Sequence, residues 1–415
     1  MNISRYSEMK DSGVEWIGMI PKDWNVRKLK WMCSKITDGS HFSPETVDEG
    51  FAYITATDVA GVGLNYQTAK KISPESFEDL QEIGCRPFAG DVLLVKDGAT
   101  TGRVGLMIDN EPCVILSSVA ILRPIASVIS RYLMYMAMSD VLQFQIHKTM
   151  AGSAMPRTTL SKLVDYEVVY CSPSEQIAIV DYLDKKCAAI DKIIGQAKAT
   201  IEEYKAWKAS VIFESVTKGL DPNAEMKDSG VDWIGKIPKH WQKIKFKYLL
   251  KIKSGDAIRN ETLTDNGLCP VYGGGELIGY TDNYNVEDNT ILIGRVGARC
   301  GCITKIPEKA WATDNALIVK TKSNLDYVFY LLTAANLNKL NTSNAQPLIT
   351  STKICNHFTA FTSDNQEQSA IVDYLDKRCA TIDTIIAEKQ TLIDELETYK
   401  KSLIFETVTG KRRVC

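Results

Sequence analysis

The stretch EQIAIVDYLDKKCAAIDKII, Glu175 to Ile194, recurs as EQSAIVDYLDKRCATIDTII, Glu367 to Ile386, with sixteen of twenty residues unchanged. Its apolar positions advance by alternating steps of three and four. Val180, Leu183, Cys187, Ile190, Ile194, Ala197, Ile201, Tyr204, Lys208 and Val211 form one seam, and Val372, Leu375, Cys379, Ile382, Ile386, Lys389, Ile393, Leu396, Lys400 and Leu403 form its copy 192 residues on. A narrow stripe of that period is the a/d face that coiled helices bury against each other. No proline interrupts 174–217 or 366–409, and Gly195 is the only interior glycine. The expectation is two helices of roughly forty residues, each on the order of 60 Å long.

A second repeat lies outward of the first. MKDSGVEWIGMIPKDW, Met9 to Trp24, returns as MKDSGVDWIGKIPKHW, Met226 to Trp241, with three changes in sixteen residues. The helical stretches also close alike, on IFESVT at Ile212–Thr217 and IFETVT at Ile404–Thr409. The chain is therefore head, middle and tail, written twice. The second middle starts just after the first helix and stops just before the second, so the first helix should end near where the second begins. The helices must then run antiparallel, giving a pseudo-twofold tandem repeat of mixed α+β class. The expected division is 1–173, a globular domain; 174–217, a coiled-coil helix; 218–365, a second globular domain; and 366–415, the second helix with a short tail.

The 415 residues, 45% hydrophobic and 24% charged, suit two soluble domains. No run of eighteen apolar residues is present, so neither a membrane span nor a signal peptide is expected, and a cytoplasmic location follows. Eleven cysteines without a CxxC rhythm and four widely spaced histidines favour reduced thiols and no metal site. Net charge is −2, which does not by itself announce a polyanion partner. Locally, Lys236 to Lys253 holds seven lysines and no acid. The alternation in KIKFKYL reads as a half-buried strand with lysines on its wet face.

The middles share a frame but not their loops. VLLVKDGATTGRVG (Val92–Gly105) resembles TILIGRVGARCGCI (Thr290–Ile303), SSVAIL (Ser117–Leu122) resembles TDNALI (Thr313–Ile318), and AMPRTTLSKL (Ala154–Leu163) resembles AQPLITSTKI (Ala345–Ile354). Short strands, glycine turns and helices near RYLMYMAMSDVLQFQI and DYVFYLLTAANLNKL are expected. TDGSHFSPETVDEG (Thr37–Gly50) faces the unlike KSGDAIRNETLTDNG (Lys253–Gly267), and PVYGGGELIGYTDNYN (Pro270–Asn285) has no twin. The loops are rich in side chains that bond base edges and phosphates. They are equally rich in ordinary turn formers. No phosphate loop, dinucleotide fingerprint, HExxH or GxSxG motif occurs, and Gly273–Gly275 reads as a tight turn.

Two tandem units, each a variable domain followed by EQxAIVDYLDKxCAxID, resemble the specificity subunit of Type I restriction-modification systems. The SGVxWIGxIPxxW heads, GRVGARCG and WATDNA strengthen the likeness, which covers essentially the whole chain. One departure is the absence of proline before the second EQ, where the chain reads TSDNQEQ. The resemblance implies that each middle is a target-recognition domain reading half of an interrupted duplex DNA sequence. It also implies that the helices fix the spacing and bind two modification subunits, with restriction subunits joining the full complex. The chain itself is then no enzyme and binds no cofactor, S-adenosylmethionine, ATP and Mg serving the partner subunits. A two-headed protein-binding adaptor and a single-chain enzyme are the rival readings. Loop residues beside glycine turns are the expected DNA contacts: Asp38, Ser40, His41, Thr100, Thr101, Arg103 and Arg157 in the first middle, and Arg259, Asn260, Tyr272, Tyr280, Arg295 and Arg299 in the second. Lys162 and Lys353 of the shared frame read as phosphate contacts or plain surface.

Overall fold

A computed structural model describes residues 6–150, 156–341 and 347–414, the side chain of Asn260 excepted. The correspondences proposed at 154–155 and 345–346 lie outside the described residues. The chain forms two compact units, Met1–Ala197 with Thr391–Cys415, and Lys198–Gln390. Each unit thus owns one head, one middle and part of both long helices.

The long helices run Pro173–Lys218 and Asn365–Val408. In the first unit Val180, Leu183, Cys187, Ile190, Ile194 and Ala197 are buried, as are Ile393 and Leu403 from the other helix. Asp191 accepts from Lys400 Nζ at 2.6 and 2.7 Å, and Tyr182 Oη lies 3.4 Å from Arg412 Nη1. Contacts that advance along one segment recede along the other, so the segments are antiparallel. The second unit repeats the arrangement, with Lys208 Nζ 2.7 Å from both carboxylate oxygens of Asp383. There Ile212 and Val216 share one core with Ile371, Val372, Leu375 and Cys379. Lys208 and Lys400 interrupt the apolar seam, and an aspartate of the facing helix meets each of them.

Both heads serve the helices. In the first unit Met9–Asp11 pairs antiparallel with Met19–Pro21, and the hairpin sends Ile17, Ile20 and Trp24 into the core at 1% exposure each. Trp24 Nε1 donates to Glu175 Oε1 at 2.8 Å, so the head holds the first turn of the helix that follows its middle. Pro21 and Trp24 also crowd Gly410 (φ 71°), just past the end of the other helix, where an added Cβ would lie 2.3 Å from Pro21. The second unit does the same. Trp241 Nε1 donates to Glu367 at 2.9 and 3.0 Å, and the ring packs on Gly219 (φ 75°).

Each middle is closed by its own ends. Asn25–Lys28 pairs antiparallel with Glu167–Tyr170, and Gln242–Lys245 pairs with Phe358–Phe361, so every middle leaves and rejoins the frame at one place. The lysine-rich KIKFKYL is not one strand. Its chain turns through a 3-10 segment at Phe246–Tyr248 because Phe246, fully buried, is driven inward, as Leu29 is in the first copy.

In the first middle a five-stranded sheet orders Cys33–Asp38, Val119–Pro124, Val92–Val95, Val104–Leu106 and Gly61–Val62. Its counterpart orders Leu250–Ser254, Ala316–Thr321, Thr290–Gly294 and Ile303–Ile306. The central strands read as near-continuous apolar runs because both faces are covered, and Val92 to Val95 show no exposure. The helical stretch in the first middle breaks at Ser139, whose backbone is extended (ψ 159°), into Ser130–Met138 and Asp140–Thr149. The triple glycine is the turn of a hairpin between Cys269–Gly273 and Glu276–Thr281. Gly274 and Gly275 take φ of 66° and 88°, values that only glycine adopts freely.

Candidate nucleic-acid interface

Several of the expected contact residues gather where the central strand leaves the sheet. In the first unit Val92–Val95 passes into Lys96 and Asp97, and a turn through Gly98 (φ 99°) and Gly102 (φ 93°) follows. The Gly102 amide donates to Val95 O at 2.8 Å and that of Thr101 to Gly98 O at 3.0 Å. Residues 156–158 zip onto this turn. The amides of Gly98 and Thr158 donate to Pro156 O (3.0 Å) and Lys96 O (2.9 Å), while Lys96 N donates to Ser118 O at 2.8 Å.

The second unit builds the same frame from different residues. The amide of Gly301 donates to Gly294 O (2.8 Å), Cys300 to Gly297 O (3.0 Å), Gly297 to Pro347 O (3.1 Å), Ile349 to Arg295 O (2.9 Å) and Arg295 to Asn315 O (2.9 Å). Lys96 thereby corresponds to Arg295, Asp97 to Val296 and Arg157 to Leu348. Strand pairing makes Asp38 the counterpart of Ser254, since Asp38 faces Ala120 and Ser254 faces Leu317.

The side chains on this frame differ. In the first unit Lys96, its side chain 3% exposed, lies 2.7 Å from Asp97 Oδ2 and 3.3 Å from Asp38 Oδ2. Arg157 Nε is 3.1 Å from Asp97 Oδ1, and exposed His41 reaches Asp38 Oδ1 at 3.3 Å. The structure thus unites Asp38, His41 and Arg157 around a lysine and an aspartate that the sequence reading did not select. The only signal for that pair was the charge dipeptide closing an apolar strand before a glycine. Ser40 is buried and its hydroxyl is engaged with Phe42, so its side chain holds the loop instead of facing outward. Thr101 Oγ1 likewise donates to Gly98 O and Pro156 O at 2.7 and 3.1 Å. Thr100 is half-buried and Arg103 exposed on the same turn.

In the second unit Arg295 Nη1 has a hydroxyl and a carbonyl for company, Ser254 Oγ and Asp314 O, each at 3.4 Å. Arg299 is exposed on the turn, and its carbonyl and that of Gly274 leave no room for a Cβ on Gly294, so the hairpin tip abuts this turn. Tyr272 instead packs against the apolar cluster that holds Val286, Leu292 and Ile318, and desolvation raises its phenol pKa. Tyr280 is half-buried toward the base of the hairpin, exchanging backbone hydrogen bonds of 2.9 Å with Thr264. Arg259 is exposed in the preceding loop. Asn260 begins a 3-10 turn, and its side chain lies outside the described residues. Lys162 and Lys353 bond back to carbonyls, Thr149 O at 2.6 Å and Leu340 O at 3.3 Å. Among the described residues no group of His, Cys, Asp and Glu could hold a metal ion, and no helix is long and apolar enough to cross a membrane.

The profile of the family described as Type I restriction modification DNA specificity domain matches twice, at residues 21–203 and 238–398, once on each repeat. The chain belongs to this specificity family. It is 29% identical over 135 residues to the type I restriction enzyme EcoprrI specificity subunit of Escherichia coli, a match covering 31% of this chain and 33% of that one. It is 26% identical over 263 residues to the MjaIX specificity subunit of Methanocaldococcus jannaschii, covering 61% and 58% of the two. These matches thus span a third and somewhat over half of the relatives' lengths. The fold extends further. A chain from a solved structure on complex assembly and conformational transition of the type I R-M system superposes with a TM-score of 0.67 at 14% identity, covering 94% of this chain and 99% of that one.

Proposed function

We propose that this specificity-family chain is the DNA-reading subunit of a Type I restriction-modification complex, with each middle reading one half of an interrupted duplex target. What supports this most is that one backbone frame, bond for bond, presents two different sets of outward side chains. A frame shared between repeats keeps each reader in the same pose, and unlike side chains on it read unlike bases. Arg295 and Arg299 are suited to guanine O6 and N7 or to phosphate, and Asp38 to a cytosine amino group. The paired long helices set the spacer between the half-sites. Together with the exposed faces of the heads they dock two modification subunits, and restriction subunits join that assembly. Adenine methylation with S-adenosylmethionine, and translocation and cleavage with ATP and Mg, belong to those partners. This chain supplies no catalytic group and holds no cofactor.

The test is methylation mapping across the genome of cells that carry the modification subunits, with and without this chain. The expected result is a single bipartite adenine-methylated motif that vanishes when the chain is absent. Methylation that persists unchanged would remove the reading, and so would methylation by this chain purified alone with S-adenosylmethionine.

A further inference from the structure

The two middles share a frame but differ in charge. Residues 25–172 hold fourteen Lys and Arg against sixteen Asp and Glu, whereas residues 242–364 hold fourteen against eleven. Three of the acids without a counterpart, Asp165, Asp38 and Asp97, neutralise the frame's cations in the first copy. Lys28 and Lys30 reach Asp165 Oδ1 at 3.1 and 2.9 Å. Their counterparts are Lys245 and Lys247, and strand pairing places Asn356 where Asp165 stands and Phe358 where Glu167 stands. Lys245 lies over the Phe358 ring, 5.2 Å from its centroid, and Lys247 over that of Tyr248 at 5.0 Å. The same exchange occurs at the reading turn, where Asp38 and Asp97 give way to Ser254 and Val296. Among the described residues no carboxylate forms an ion pair with Lys243, Lys245, Lys247, Lys251, Lys253, Arg295 or Arg299.

One stretch of chain links the Arg295 turn to the Lys245 and Lys247 patch. Leu348 is bridged to Val296 of the reading turn, Ile349 donates to Arg295, and Ser351–Asn356 is a short helix packed on Phe246–Tyr248 and Leu250–Ser254. Six helical residues and a short extended run carry the chain from Arg295 to the Lys245 and Lys247 patch over on the order of 15–20 Å. Several phosphates of a B-form duplex fall within that distance.

Resting on the DNA-reading function, we infer that the second middle supplies most of this chain's phosphate grip, through Lys245 and Lys247 together with Arg295. The first middle reads its half-site with Lys28, Lys30 and Lys96 already neutralised. Duplex DNA therefore anchors on the second reader, and the first adds discrimination with little salt dependence.

The test uses the full chain assembled with its modification subunits and a fluorescent duplex, with affinity measured from 50 to 200 mM salt. Lys245→Gln with Lys247→Gln is expected to lower the slope of log affinity against log salt by about 0.9 per lost contact, so that the advantage of the unmodified complex shrinks by about tenfold across that range. Asn356→Asp, which restores the first copy's acid and gives up only an exposed Nδ2 donation to Thr352 O at 3.1 Å, is expected to shift the slope in the same direction. Lys28→Gln with Lys30→Gln is expected to leave it unchanged. Equal losses from both pairs, or no loss from the second pair and Asn356→Asp, would overturn the asymmetry while DNA binding remained. An unmodified complex that bound no DNA at any salt would instead remove the functional reading beneath it.

Discussion

Lys96 and Arg295 leave equivalent strand ends into different company, and the consequences separate stability from recognition. Lys96 is buried between Asp97 and Asp38, so removing it takes away their buried cation and leaves Asp97 to Arg157 and Asp38 to exposed His41. Breaking a buried ion network in this way costs about 3–5 kcal/mol. Arg295 is half-exposed and meets only a hydroxyl and a carbonyl, so its loss should move stability by less than about 1 kcal/mol. Lys96→Ala is therefore expected to lower the denaturant midpoint of the first unit, whereas Arg295→Ala keeps the fold and loses about 1–3 kcal/mol of site-specific affinity. Denaturation curves and binding to the mapped target check both; Arg295→Ala with unchanged affinity would strike that residue from the reader. His357 adds a pH test. It stacks on Trp233, 5.1 Å between ring centroids, and burial lowers its imidazole pKa. The unfolded chain then takes up a proton near the ordinary value of about 6.5 while the folded histidine still resists it, so stability falls as pH drops through that value. The full contribution is present above about pH 7.5. His357→Phe is expected to flatten the decline between about pH 7.5 and 5.5, as thermal melts across that window would show; an unchanged decline would assign it to other groups.

At the scale of elements, the repeated head is explained by what it holds. Trp24 and Trp241 bond the first-turn glutamates of the long helices, and both rings pack beside the glycine that ends the other helix. Glu175 is also a cap, accepting from Ser172 N and Oγ at 3.2 and 2.8 Å, and Glu367 accepts from Thr362 Oγ1 at 2.6 Å. Glu175→Ala and Glu367→Ala are each expected to cost about 1.5–3 kcal/mol, the worth of hydrogen bonds to a charged group. Chemical denaturation checks this, and a change within the noise would make the pairing incidental.

The long helices, the duplication and the glycine hairpin turn are legible in the sequence because their signals are local: a three-four period, a repeated string, a residue that alone tolerates positive φ. Strand order is not legible, because Asp38 meets Lys96, and Lys28 meets Asp165, across spans of chain that no periodicity links. For the same reason Ser40 and Thr101 read as outward hydroxyls from composition, while the structure engages both internally. KIKFKYL shows the limit of alternation itself, since a buried Phe246 bends the chain where a strand is expected.

For the whole molecule the decisive property is modularity. Each unit has its own core and its own variable middle. If the paired helices are the ruler, four residues inserted after Gln196, with a matching insertion in the second helix, keep the apolar stripe nearly in phase and lengthen each by about 6 Å. The expected outcome is a spacer longer by one or two base pairs, at ~3.4 Å each, with both half-sites unchanged. An active complex that kept the original spacing would assign that role to the partner subunits. The most direct measurement replaces residues 30–170 with the matching segment of a related specificity subunit and maps adenine methylation genome-wide in cells carrying the modification subunits. One half of the bipartite motif is expected to change while the other half and the spacer persist; a change in both halves, or in neither, would contradict one reader per repeat.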